Sequence, residues 1–243
     1  MAKILVTANQ KGGVGKTTLA VHAAWLAAEA GKRVLVVDLD TQANASQTLS
    51  GDANIRTAGA GSECFFSDNS LANLMKLNSG IDLLPGTSSL DELDSALTLD
   101  SVLAIRDKIR SLDYDLIVID TPPAVSMRQL APLLIAHQVV IPMQVDEYSV
   151  SGLTAILDTL NDVQNLNPGL EFKVVPNCYQ GHSSSQAAIM AGLQDALPPE
   201  WLLPALPLRQ AVKNGIKCSR PIWKMPVKPA IKQLWKTVLE GVI

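Results

Sequence analysis

The run Lys11-Gly12-Gly13-Val14-Gly15-Lys16-Thr17-Thr18 constrains the fold of this chain more than any other stretch. It matches the phosphate-loop pattern G-x-x-x-x-G-K-[ST], with Lys11 in the first glycine slot. Such a loop works only between a strand and a helix, and both are legible. Lys3 to Ala8 is a short apolar, β-branched run that reads as a buried parallel strand. Thr17 to Ala30 is rich in Ala and Leu and ends at Gly31, a helix stop. This order points backbone N–H groups and the positive end of a helix at a polyphosphate. Lys16 then reaches the β- and γ-phosphates, and the Thr17 hydroxyl holds Mg²⁺.

The same alternation runs through the chain. Strand patterns fall at Arg33 to Asp38, Ile81 to Pro85, Tyr114 to Asp120, Gln138 to Met143, Glu171 to Asn177 and Leu203 to Pro207. Helix patterns fall at Ser88 to Leu97, Leu99 to Leu112, Ser126 to Ala136, Ser149 to Leu166, Ser184 to Leu197 and Lys228 to Val242. The expected fold is α/β, a single doubly wound, mainly parallel sheet with helices on both faces. Residues 1–243 read as one domain, with no segment before the first strand to hold a helix-turn-helix. The least regular stretch is Gly51 to Ser70. Either it is a mobile surface segment, or Phe65-Phe66 anchors it to the core.

Net charge is only −3, but its distribution is uneven. From Ala205 onward eight basic residues face one acid, Glu240, which gives +7; residues 1–204 carry the remaining −10. A basic pole of this kind suits a polyanionic partner. No apolar run approaches the length of a membrane span, and no signal peptide is evident. Cys64, Cys178 and Cys218 are scattered, which fits a reducing cytoplasm and excludes a disulfide framework or zinc site.

Ligands of open α/β sheets sit beyond the carboxyl ends of the strands. Two of those ends carry Asp38-Leu39-Asp40-Thr41-Gln42-Ala43-Asn44 and Asp120-Thr121-Pro122-Pro123. In the first, one carboxylate suits holding Mg²⁺ through water and the other suits orienting an attacking water. Asp120 occupies the expected second Mg²⁺ position. The Asn177 amide both donates and accepts, as recognition of a base requires.

Taken together, Asn9 to Thr18, Asp38 to Asn44, Asp120 to Pro123, Ile141 to Gln144, Ser149 to Leu153 and Leu206 to Pro221 resemble the ParA/MinD family of deviant-Walker P-loop ATPases, of SIMIBI-like architecture. They are most similar to short ParA-type partition proteins. The resemblance implies ATP and Mg²⁺ as ligands, and nucleotide contacts from Lys11, Gly12, Gly13, Val14, Gly15, Lys16, Thr17, Thr18, Asn177 and Pro207. It implies catalytic roles for Lys11, Lys16 and Asp40. Lys11 would reach across an ATP-sandwiched homodimer to the partner's phosphates, and Asp40 would position the water. Thr17, Asp38 and Asp120 form the implied metal set. The ATP-bound dimer of such proteins binds DNA without sequence preference, and a ParB-like or other cargo adaptor stimulates hydrolysis and release. Arg209, Lys213, Lys217, Arg220 and Lys224 are the expected DNA contacts, and the implied location is the nucleoid. Thr41 departs from the usual Pro of the family, and Asn214 from a commonly acidic position.

The strongest rival is a MinD-like membrane-cycling ATPase. Ile231, Leu234, Trp235, Val238, Leu239 and Val242 repeat at helical spacing, as in an interfacial helix or in a last helix packed on the sheet. An iron–sulfur ATPase needs paired cysteines that this chain does not show. A tyrosine kinase of the same superfamily needs a tyrosine-rich tail, whereas Tyr114, Tyr148 and Tyr179 are isolated.

Overall fold

The computed structural model describes residues 1–55 and 61–243, with residues 147–152 described by backbone alone. Seven strands form one sheet: β1 (Lys3–Thr7), β2 (Val34–Asp38), β3 (Met75–Lys76), β4 (Ile81–Leu84), β5 (Leu116–Asp120), β6 (Gln138–Gln144) and β7 (Glu171–Asn177). Their spatial order is β3-β4-β2-β5-β1-β6-β7, and every pairing is parallel except β3 with β4.

Alternate residues of the strands feed two different cores, because successive side chains point to opposite faces. Ile4, Val6, Leu35, Val37, Ile117 and Ile119 join one apolar cluster. That face is covered by α3 (Leu90–Ala96), α4 (Leu99–Arg110), α5 (Met127–Ile135), α6 (Glu147–Gln164) and α7 (Ser184–Ala196). Leu5, Val34, Val36, Leu116 and Val118 join the other. Over them lie α1 (Lys16–Glu29), α2 (Asn44–Ser50), α8 (Gln210–Lys217) and α9 (Pro229–Glu240). Both faces are therefore buried, which explains why the strands read as continuous apolar runs.

The apolar stripe of α9 has an intramolecular partner. Trp235, Val238, Leu239 and Val242 are buried in the second core. Among the described residues no helix is long and apolar enough to cross a membrane. Phe65 and Phe66 are also buried, stacked edge to face at the end of a 3₁₀ turn, Ser62–Phe66, so the aromatic pair anchors this part of the irregular stretch. Gly59 and Ala60 lie outside the described residues.

One expected strand is not formed. Around Leu203 to Pro207 only isolated bridges form, Leu202 with Val174 inside β7 and Pro207 with Tyr179 just past it. Pro204 and Pro207 have no N–H, so the segment cannot complete a ladder; Leu203 and Leu206 donate to Val174 and Pro176. Three elements lacked a sequence signal: two-residue β3, polar α2, and α8.

Candidate functional site

The site forms where β1, β2 and β5 end together. Thr7 and Asp38 both stand in register with Asp120, so one level of the sheet holds a hydroxyl and two carboxylates. Asp120 is fully buried. It accepts hydrogen bonds from Thr7 Oγ1 at 3.0 Å and from Thr17 Oγ1 at 2.6 Å, which ties the first turn of α1 to the central strand. Asp38 is buried too, and its oxygens accept from Ser46 N (2.9 Å), Ser46 Oγ (2.7 Å) and Asp40 N (3.2 Å). Burial holds both carboxyls above the ordinary carboxylate range, and the charge of Asp38 pushes Asp120 further up. A divalent cation beside them would reverse that penalty.

The phosphate loop is held by polar side chains from three strand ends. Asn9 donates to Pro142 O (2.8 Å) and accepts from Lys11 N (2.9 Å). Gln144 reaches Gly13 O (3.2 Å), and Asn177 Nδ2 donates to Val14 O (2.8 Å). Gly15, at φ +108°, starts α1; a Cβ there would stand 2.3 Å from Asn177 Nδ2. A side chain is thus excluded by backbone conformation and by contact alike.

The two lysines of the loop are placed differently. Lys16 is buried and lines an open cavity of about 660 Å³, with Gly12, Gly13, Thr17, Thr18 and Asp40. Desolvation lowers its pKa, while Asp120 and Asp40 draw it back up. Lys11 does not line this cavity: its Nζ pairs with Asp146 at 2.7 Å, just past β6. Asp40 lies at the cavity wall, two residues beyond the strand end, where its Oδ1 accepts from Gln42 N at 2.9 Å. Gly86 makes room for it, since a Cβ there would meet Asp40 O at 2.6 Å and Asp38 Cγ at 3.1 Å.

Thr17, Asp38 and Asp120 are therefore brought together, and Asp40 and Lys16 face the same cavity. The oxygen-only donors Thr17 and Asp120 suit Mg²⁺, which takes one or two carboxylates and leaves its remaining positions to phosphate and water. Neither carboxylate lines the cavity itself; Asp38 is engaged by Ser46 and Asp40 N, whereas Asp120 is bonded to Thr17, which does line it. Neither Asn177 nor Pro207 lines it. The Asn177 amide is committed to the loop, and its Oδ1 accepts from Cys178 N at 2.9 Å. Of the basic residues, Arg209, Lys213, Lys217, Arg220 and Lys224 are all exposed. Lys224 pairs with Glu29 at 2.6 Å, and Lys217 lines the cavity instead of standing apart from it.

Sequence reasoning did not single out Thr7, Ser46, Gly86 or Gln144 for the roles they take here. Ser46 has the plainest role among them: its hydroxyl donates to Asp38 and accepts from Gly86 N at 2.9 Å, bridging two loops. A serine in a polar heptapeptide carries no signal of that. Backbone strain does mark the site. Ala43, Cys178 and Ser219 are the non-glycine residues with positive φ among those described. Ser219 lines the cavity, Ala43 sits between two residues that do, and Cys178 follows Asn177. Such residues cluster at functional sites.

Behind the loop, α1 is pinned by His22. Its Nδ1 donates to Thr18 O (2.7 Å) and its Nε2 accepts from Ile222 N (3.1 Å), which defines a neutral tautomer. Trp25, Trp223 and Trp235 surround the ring at centroid distances of 5.1, 5.7 and 4.7 Å. Burial lowers its pKa to about 4.

The AAA domain family matches residues 2–172. The chromosome-partitioning ATPase Soj of Thermus thermophilus is 37% identical over 196 residues, 78% of this chain and 75% of Soj. Protein IncC of Escherichia coli is 30% identical over 236 residues; these are 95% of this chain but 65% of IncC, so the chain spans less than two thirds of that relative. McdA of Cyanothece has been solved in apo form and as an ATP complex. The two superpose with TM-scores of 0.86 and 0.85 at 22% identity, over 99% of this chain and 99% and 96% of theirs, a likeness of fold. With the two-lysine loop, the aspartates at the strand ends and these relatives, the chain belongs to the ParA/MinD family of P-loop ATPases.

Proposed function

We propose that this chain is a slow, partner-stimulated ATPase that positions a cargo. Its ATP-bound homodimer holds DNA without sequence preference and is released on hydrolysis. The observation that carries this reading is the contrast between the two lysines. Lys16 lies inside its own cavity, whereas Lys11 is directed away from it to Asp146. A second cation on the same loop that does not serve the loop's own cavity suits a neighbouring subunit. Delivered there, it would stabilise charge developing on the transferred phosphoryl group, as an arginine finger does. Asp40 orients the attacking water from the cavity wall, and Thr17 and Asp120 hold Mg²⁺, which neutralises phosphate charge when bound. Asn177 acts by fixing the loop through Val14.

Exposed Arg209, Lys213 and Arg220 support the DNA reading, because non-specific affinity comes from cations that displace condensed counterions. Lys224 belongs to that surface with its charge shared with Glu29. The cytoplasm, and the nucleoid within it, is the compartment this activity requires, and the adaptor is a ParB-like protein or its equivalent. Burial of the α9 stripe favours this reading over membrane cycling. The test is the oligomeric state of Asp40→Ala with ATP and Mg²⁺, by sedimentation velocity. A nucleotide-dependent dimer is expected. A protein that binds ATP yet remains monomeric at saturation refutes the reading.

A further inference from the structure

The cavity does not stop at the phosphate loop. Its lining also includes Gly51, Ala53, Ile216, Lys217 and Ser219, and Gly51 lies beside Ser219, since a Cβ there would stand 3.7 Å from Ser219 Oγ. Lys217 at the end of α8 and Lys16 at the start of α1, 201 positions apart in sequence, therefore line one cavity.

The segment that carries Lys217 is tightly specified. α8 ends where Cys218 N donates to Asn214 O and Gly215 O, both at 3.1 Å. The chain then reverses through Ser219 at φ +52°, and Arg220 N returns to Gly215 O at 2.8 Å. Gly215 permits that return, since a Cβ there would stand 2.6 Å from Arg220 O. Two residues on, Ile222 N donates to His22, which also binds Thr18 O. The turn that presents Lys217 is therefore bolted to the turn of α1 that faces the cavity. A left-handed serine and an obligatory glycine are a conformational cost that a merely solvated lysine does not require. Among the described residues, no carboxylate forms an ion pair with Lys217.

We infer that Lys217 is a nucleotide ligand, a cation that meets the polyphosphate of bound ATP from the lining of the cavity, and not a DNA contact like its neighbours. The inference rests on the cavity being the ATP site. It gives the basic C-terminal segment a direct link to the nucleotide: Lys213 and Arg220 do not line the cavity, while Lys217 does.

The test is binding of ATPγS with Mg²⁺ to the full chain by titration calorimetry, with thermal unfolding of each variant as a folding control. Lys217→Gln is expected to weaken binding about ten-fold, the loss of one charge-assisted hydrogen bond. Lys217→Arg is expected to restore most of it, and Lys213→Gln and Arg220→Gln to stay within about two-fold of wild type. AMP binding should fall less than ATPγS binding in Lys217→Gln. Wild-type ATPγS affinity in Lys217→Gln, alongside lost binding in folded Lys16→Ala, overturns the role of Lys217 and leaves the ATP site standing. Undiminished binding in folded Lys16→Ala overturns the ATP site itself.

Discussion

Protonation of His22 should act on the stability of the whole protein, and the size of the effect can be worked out. In the folded chain the imidazole is buried and neutral, donating to Thr18 O and accepting from Ile222 N. Its pKa is lowered from 6.5 to about 4. The unfolded chain therefore binds the proton more readily, and stability rises with pH wherever that is so. The stabilisation from the neutral ring is complete above pH 6.5 and is lost as pH falls from there towards about 4. Each pH unit within that window corresponds to about 1.4 kcal/mol, so moving from about pH 7.5 to about pH 5 removes about 2 kcal/mol through His22 alone. Carboxylates add their own pH dependence, so the informative quantity is a difference. Urea unfolding of wild type and His22→Gln would be measured at both pH values. Near neutrality the variant should be less stable by about 1–3 kcal/mol, the cost of weakening a buried pairing of Ile222 N–H. That gap should narrow by about 2 kcal/mol at the lower pH. An unchanged gap would mean that His22 is not held neutral between α1 and the C-terminal segment.

Three further outcomes are expected. Trp235→Ala removes a fully buried indole from the core under α9, and should cost about 3–5 kcal/mol by urea unfolding; a loss below about 1 kcal/mol would return α9 to the surface. Gly15→Ala places a methyl group against Asn177 Nδ2 at a left-handed position, so titration with ATPγS should show binding abolished in a chain that still unfolds cooperatively. Charge reversal at Lys213 and Arg220 together should weaken DNA binding and reduce the slope of log affinity against log salt by about 0.9 per lost phosphate contact, measured by fluorescence anisotropy; an unaltered slope would place the DNA surface elsewhere.

Much of this architecture was legible in the sequence because both faces of the sheet are buried. Runs such as Leu116 to Ile119 and Val34 to Val37 have one reading when a glycine loop and helix patterns alternate with them. The loop lysines and the aspartates at the strand ends were legible for a similar reason: their chemistry is local to a motif. What sequence did not reveal depends on contacts across the chain. Asn177 offered an amide suited to a base, yet that amide is used on Val14. Lys217 looked like its neighbours in a basic tail, and only the fold places it on the lining of the cavity that Thr18 also lines. Ser46 and Gly86 had no signal at all, since each acts through an atom supplied by a distant loop. The strand expected at Leu203 to Pro207 failed on two prolines whose missing donors outweigh the apolar pattern.

The register of the central strands has a consequence for how such a site can be tuned. Thr7, Asp38 and Asp120 share one rung of the ladder, so their spacing is stiff and set when the sheet zips up. Asp40 hangs from a loop whose carbonyl rests against Gly86, and nothing as rigid as a ladder fixes it. One half of the machinery is a ruler and the other a dial. On the proposed function, substitutions around Asp40 would retune hydrolysis more readily than changes at the strand-end rung.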